Sequence, residues 1–228
     1  MKLKIMGFDS IIDLEGSFIS VIEIHNKKLF QKIISEIYDR IKGVEEKSEL
    51  IIYNQLDEIN YTKDIFFVDN LFSIDFNNRS IINKLYSEAI KNYTDYEMFN
   101  TLEKINFEIL KLLNEVSNDI DVNIMYHNNI EFKDLLKFMN FKIDTPINTS
   151  MKENIFLLVD IMSEFKIYKF IILTNLKNYL DKNDIIEIYK YSEYKQINLI
   201  LIESEKCEKI ESETKLIIDE DFEDYIIK

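Results

Sequence analysis

Apolar and polar positions recur along the chain with two different periods. Residues 18–24 (FISVIEI) are short and rich in β-branched side chains, which predicts a strand. His25 and Asn26 follow as a turn and cap. Leu29, Ile33, Ile34, Ile37 and Ile41 then recur three or four positions apart, one face of a helix that ends at Gly43. Residues 50–53 and 65–68 predict two further strands. The second is an uninterrupted apolar run, the pattern of a strand covered on both faces.

The middle of the chain loses the strand pattern. Ile81, Leu85, Ala89 and Tyr93 make one helical stripe. Phe99, Leu102, Ile105, Ile109, Leu112 and Val116 make a longer one, about five turns. Phe132, Leu135, Leu136 and Met139 make a third, and Asp144-Thr145-Pro146 closes the segment because proline cannot continue a helix. The mixed rhythm then returns. Ile155, Leu158, Val159 and Met162 line a helix, and residues 170–173 predict a buried strand. Asp181 caps a helix carrying Ile185, Ile188 and Tyr191; residues 199–202 and 216–218 predict the last strands.

This order predicts an α/β fold. Residues 1–75 and 146–228 build one head with a mainly parallel sheet, and residues 76–145 form an inserted helical arm.

Composition narrows the chemistry. The chain has 228 residues, 46% hydrophobic and 31% charged, enough apolar side chain for a packed core. Three glycines, one proline and one cysteine exclude a disulfide scaffold and a cysteine-based zinc ribbon. Gly7, Gly16 and Gly43 fit no phosphate-binding glycine loop, so a nucleotide-hydrolysing P-loop is excluded too. A formal charge of −14 argues against generic coating of nucleic acid. The longest apolar runs fall far short of the ~20 residues that span a bilayer. With no leader-like segment, a cytoplasmic protein without membrane contact is expected.

Single residues offer little catalysis. Asp69 ends an apolar strand, yet it lacks a phosphate loop and reads as a residue of a strand-end turn. Glu45-Glu46-Lys47 has the outline of a nuclease motif but precedes its strand instead of lying on it. His25 and His127 have no evident partner, and Cys207 sits among Glu205, Lys206 and Glu208 as an ordinary thiol. Asp119 and Asp121, with neighbouring asparagines, could offer oxygens to Ca²⁺, or form a solvated turn. Lys84, Lys91, Lys104, Lys111, Lys133, Lys137 and Lys142 decorate the arm. They read as a helix exterior, or as phosphate contacts if the arm lines a cavity.

Four stretches go further. Leu14-Glu15-Gly16 is followed by FISVIE. Residues 65–75 read IFFVDNLFSID, residues 135–145 read LLKFMNFKIDT, and residues 218–222 read IDEDF. In this order and spacing, nearly end to end, the chain resembles the short form of the Csn-two family, the adaptation protein of type II-A CRISPR loci. The resemblance implies a degenerate P-loop-like head without a nucleotide site. It implies a homotetrameric ring that binds ends of double-stranded DNA without sequence preference and is not an enzyme. Its implied partners are the CRISPR integrase proteins and the RNA-guided effector nuclease, and its implied cofactor is Ca²⁺. In that family the segment after the long arm helix is dense in calcium-holding acids. Here residues 119–129 read DIDVNIMYHNN, which leaves Asp119 and Asp121 as the metal candidates. Lys133, Lys137 and Lys142 are the DNA-facing candidates, with Lys104 and Lys111 behind them. A rival expectation is an acidic scaffold that recruits the integrase and the nuclease without touching DNA.

Overall fold

Alternating burial along Lys2-Leu3-Lys4-Ile5 begins the fold: Leu3 and Ile5 point into a core while Lys2 and Lys4 stay outside. A computed structural model describes residues 1–44, 47–55, 57–93, 96–145 and 149–227. Glu45, Glu46 and Pro146, which carried two of the expectations above, lie outside the described residues.

In chain order the elements start with strands β1 (Lys2–Ile5), β2 (Ile11–Asp13) and β3 (Ile19–Ile24), then helix α1 (Lys27–Ile41). Strands β4 (Leu50–Asn54) and β5 (Asp57–Glu58), the one-turn helix α2 (Tyr61–Asp64) and strand β6 (Ile65–Val68) follow. Helices α3 (Arg79–Asn92), α4 (Tyr96–Asn118) and α5 (Phe132–Phe138) come next. Helix α6 (Met151–Phe165), strand β7 (Phe170–Thr174), a 3-10 turn (Leu176–Asn178) and helix α7 (Lys182–Tyr194) precede the last strands. These are β8 (Asn198–Glu203), β9 (Glu213–Ile218) and β10 (Asp224–Ile227). The chain divides into two compact units, Met1–Asp75 with Pro146–Lys228, and Phe76–Thr145.

The first unit holds two sheets. The larger has the order β10-β9-β3-β8-β7-β6. Strands β9, β3, β8, β7 and β6 pair in parallel, and β10 turns back antiparallel on β9. The smaller sheet, β2-β1-β4-β5, is antiparallel throughout. One sheet was expected. Residues 50–53 were assigned to it, but they pair with β1 instead, and β1, β2 and β10 were missed because each offers at most two inward apolar positions. The apolar run of β6 is covered on both faces as expected, with Ile65, Phe66 and Val68 buried, although it lies on the edge of the large sheet.

Period-two alternation separates the two faces of the large sheet. Ile22, Ile24, Ile200, Ile202, Leu216 and Ile218 join Leu29, Ile33 and Ile37 of α1 and Leu3, Ile5, Leu50 and Ile52 of the small sheet in one core. The helices start where capping side chains satisfy their first amides. Asn26 accepts from Lys28 and Leu29, Asp181 from Asn183 and Asp184, and Ser150 forms a capping box with Glu153. On α7 the buried tyrosine is Tyr189, not Tyr191. Tyr191 instead donates to Asp160 on α6 at 2.6 Å.

The second unit consists of α3, α4, α5 and their connections. Asn77 clamps Ile143 in both directions, donating to its carbonyl and accepting from its amide at 3.1 and 2.9 Å.

Candidate nucleic-acid interface

Helix α4 is 23 residues long and amphipathic, yet its one fully buried residue is a polar one, Asn106. Asn106 fastens the returning chain: it donates to Asn129 and to the Ile130 carbonyl, and accepts from the Ile130 amide at 2.8 Å. The apolar stripe of α4 is only partly covered. Phe99, Leu112 and Val116 are each more than half exposed, Leu102, Ile105 and Ile109 are half-buried, and Phe107 is exposed on the opposite face. Past α4, Met125 is 96% exposed, and on α5 Phe138 is 85% exposed. A monomer rarely leaves this many large apolar side chains wet unless another surface covers them. A cleft of about 360 Å³ lies beside this stripe, lined by Tyr93, Met98, Leu102, Ile105, Phe132 and Leu135 among others. The Tyr93 and Phe132 rings stack at its wall, 4.1 Å between centroids.

All five expected DNA-facing lysines are exposed and belong to the second unit. Lys104 and Lys111 lie two turns apart on α4, so they share a face. Lys133 and Lys137 lie one turn apart on α5, and Lys142 follows in the extended segment after it. Among the described residues only Lys137 of the five forms an ion pair, with Asp134 at 3.1 Å.

Asp119 and Asp121 are exposed in the turn after α4. Ca²⁺ takes six to eight oxygens. Among the described residues no group of three or more His, Cys, Asp or Glu side chains comes together to hold a metal. Two solvated carboxylates in one chain therefore do not fit a calcium site. His127 is exposed in the same connection.

The turn from β3 to α1, where a phosphate loop would sit in a nucleotide-binding sheet, is filled by side chains. Asn26 Oδ1 takes the Lys28 and Leu29 amides at 3.1 Å each, the donors a phosphate would need. Immediately before it, Glu23 is fully buried and pairs with His25 at 2.6 Å and with Lys215. Cys207 joins the same carboxylate: its amide donates to Glu23 at 2.9 Å and its thiol at 3.2 Å. Burial pushes that thiol up to about 12, so it is an unreactive group at neutral pH. The sequence reads it as an ordinary thiol among Glu205, Lys206 and Glu208; the fold adds Glu23, which His25 also bonds. Sequence reasoning missed this cluster, whose one local signal is a charged residue inside otherwise apolar strand runs. Asp69 is exposed at the end of β6, where its carbonyl accepts from the Thr174 hydroxyl at 3.2 Å. Among the described residues no helix is long and apolar enough to cross a membrane.

Residues 42–222 match a family described as CRISPR-associated protein (Cas_Csn2). Among solved structures the chain is similar to Stu0660 of Streptococcus thermophilus, with a TM-score of 0.65 and 15% sequence identity. The alignment covers 96% of this chain and 75% of that one. At that identity the likeness concerns the fold.

Proposed function

Because the chain belongs to the Cas_Csn2 family of CRISPR-associated proteins, we propose that it is a non-catalytic adaptation protein that binds ends of double-stranded DNA. It does so without sequence preference, as a homotetrameric ring, during spacer acquisition. The observation that carries this reading is the partly uncovered stripe of α4, whose exposed Phe99, Leu112 and Val116 give copies of the chain a surface to bury on one another. Assembly sets the exposed lysines of α4 and α5 around the duplex, where phosphate contacts give affinity but no base readout. A closed ring loads from a free terminus, which makes ends the preferred substrate. The head is a degenerate relative of P-loop folds. That reading is supported by parallel strands whose first helix has its amides taken by Asn26, with no glycine loop before it. The partners are the integrase proteins and the RNA-guided effector nuclease of the locus. No calcium step enters the reading, because the carboxylates of one chain do not build the site.

Light scattering on the purified protein, in calcium and in chelator, is the test, repeated with linear and covalently closed duplexes of one sequence. A mass of four times 27.4 kDa in both buffers, binding linear DNA and not closed DNA, is the expected result. A monomer that ignores DNA would overturn it in favour of an acidic scaffold for protein partners. Loss of the tetramer in chelator would show that copies share cation ligands across their contacts.

A further inference from the structure

One face of the large sheet holds more buried acid than base. Glu23, Glu203 and Glu213 are almost fully buried, and so are the side chains of Lys177 and Lys215. Glu23 and Glu203 are register partners on parallel strands β3 and β8, so their side chains share one face. Two of the carboxylates are matched. Lys215 takes Glu23, and Lys177 takes Glu213 at 2.7 Å, with the Tyr189 hydroxyl donating to the same group at 2.8 Å.

Glu203 is the acid left over. Its Oε1 accepts from the Lys177 amide at 3.2 Å, and its Oε2 meets no donor among the described residues. Facing it are Glu23 from β3, Glu213 from β9, Lys177 from the 3-10 turn and Tyr189 from α7, while Lys215 and Cys207 stand on Glu23. His25 stands behind Glu23. With every group ionised, the acids exceed the two lysines by one buried charge, which a low-dielectric interior does not tolerate unpaired.

The loop 204–212 is tied down by this same cluster. Lys177 Nζ donates to the Glu208 carbonyl at 3.0 Å. Lys215 donates to the Cys207 carbonyl, and Glu23 accepts from the Cys207 amide.

We propose that the loop 204–212 is a proton-controlled latch, closed while the Glu203 carboxyl holds its proton and released when that carboxyl ionises. The lysine that an ionised Glu203 draws on is Lys177, whose own amide already touches it. Moving that ammonium toward Glu203 takes it from the Glu208 carbonyl and loosens the middle of the loop, which is otherwise held by Cys207 on Glu23 and Lys215, by Ser204 on Asn175 and by Lys182 on Glu208. Burial pushes the Glu203 carboxyl up to about 7, so the latch works around neutral pH.

Cys207 lies inside the loop and is the sole cysteine of the chain, which makes it a built-in reporter. The experiment is N-ethylmaleimide labelling of the full-length protein from pH 6 to 8.5. Each rate is divided by that of the urea-unfolded chain at the same pH, so that thiol ionisation cancels. Wild-type protection is expected to fall roughly tenfold across this range, following the ionised fraction of Glu203, while Glu203→Gln stays flat. Flat wild-type protection, or the same fall in Glu203→Gln, overturns the proposal. If the variant does not fold, wild-type hydrogen exchange decides. Selective loss of protection in 204–212 above pH 7, with α1 unchanged, supports the latch; parallel loss in both segments overturns it.

Discussion

Glu23 and Glu203 sit side by side on neighbouring strands and answer pH in opposite directions. Burial works to raise the Glu23 carboxyl, but bonds from Lys215, the Cys207 amide and His25 together hold it below the usual range. Its contribution to stability is present above the unfolded value near 4.5 and is lost as pH falls through the depressed one. Glu203 has no ammonium bound to its own carboxylate, so burial dominates and lifts it to about 7. Its contribution is complete below 4.5 and is lost as pH rises toward 7. A shift of that size corresponds to roughly 3 kcal/mol. The global unfolding free energy should therefore decline between pH 5 and 8, the reverse of an ordinary salt-bridged acid. Glu203→Gln, which keeps the shape and removes the charge, should recover most of that loss at pH 8 and gain little at pH 5. Urea midpoints at the two pH values read this directly. A wild-type curve that does not fall between them would show that Glu203 finds a partner in solution.

At the scale of elements, α4 separates what its own sequence determines from what it leaves to a neighbour. Its stripe makes it a helix, and Asn106 anchors the chain that returns past it, but Leu112 and Val116 remain wet. Leu112→Glu with Val116→Glu should break the assembly to smaller species. It should change the melting temperature of the dissociated chain little, since exposed positions contribute little to one chain's fold. Asn106→Ala should do the reverse, costing about 1–3 kcal/mol by orphaning the Ile130 amide. Scattering and thermal melts on both variants test this; a double glutamate variant that keeps the wild-type mass would move the contact off α4. The same helix shows why much of the fold was legible. Long stripes such as those of α1, α4 and α6 repeat often enough to outweigh an isoleucine-rich background. Strands β1, β2 and β10 offer two inward positions each at most, and the edge position of β6 depends on pairing, which a single run of apolar residues does not encode. The buried cluster was illegible for a related reason. Glu23, Lys177, Glu203, Cys207 and Lys215 come from separate stretches, and register alone brings them together.

For the whole molecule the formal charge of −14 is in tension with the proposed DNA-binding role, and that proposal requires local placement of lysines to outweigh it. The field at a phosphate is set by charges within a Debye length, about 10 Å at moderate salt, and not by the chain's total. Lys104, Lys111, Lys133, Lys137 and Lys142 all fall on the second unit, whereas the acid-rich last stretch of the chain belongs to the first. Changing Lys133, Lys137 and Lys142 together to Glu should therefore abolish duplex binding while leaving the scattering mass unaltered, because none of the three belongs to the apolar stripe. The wild type should bind with the salt signature of phosphate contacts. Several neutralised phosphates per ring imply a loss of affinity on the order of 10³ between 50 and 200 mM salt. Titrating a labelled linear duplex at both salt concentrations tests the two expectations together. Binding that survives both the triple substitution and the salt would place the DNA path on other residues. Binding lost with the mass would mean that these lysines hold copies together instead of holding DNA.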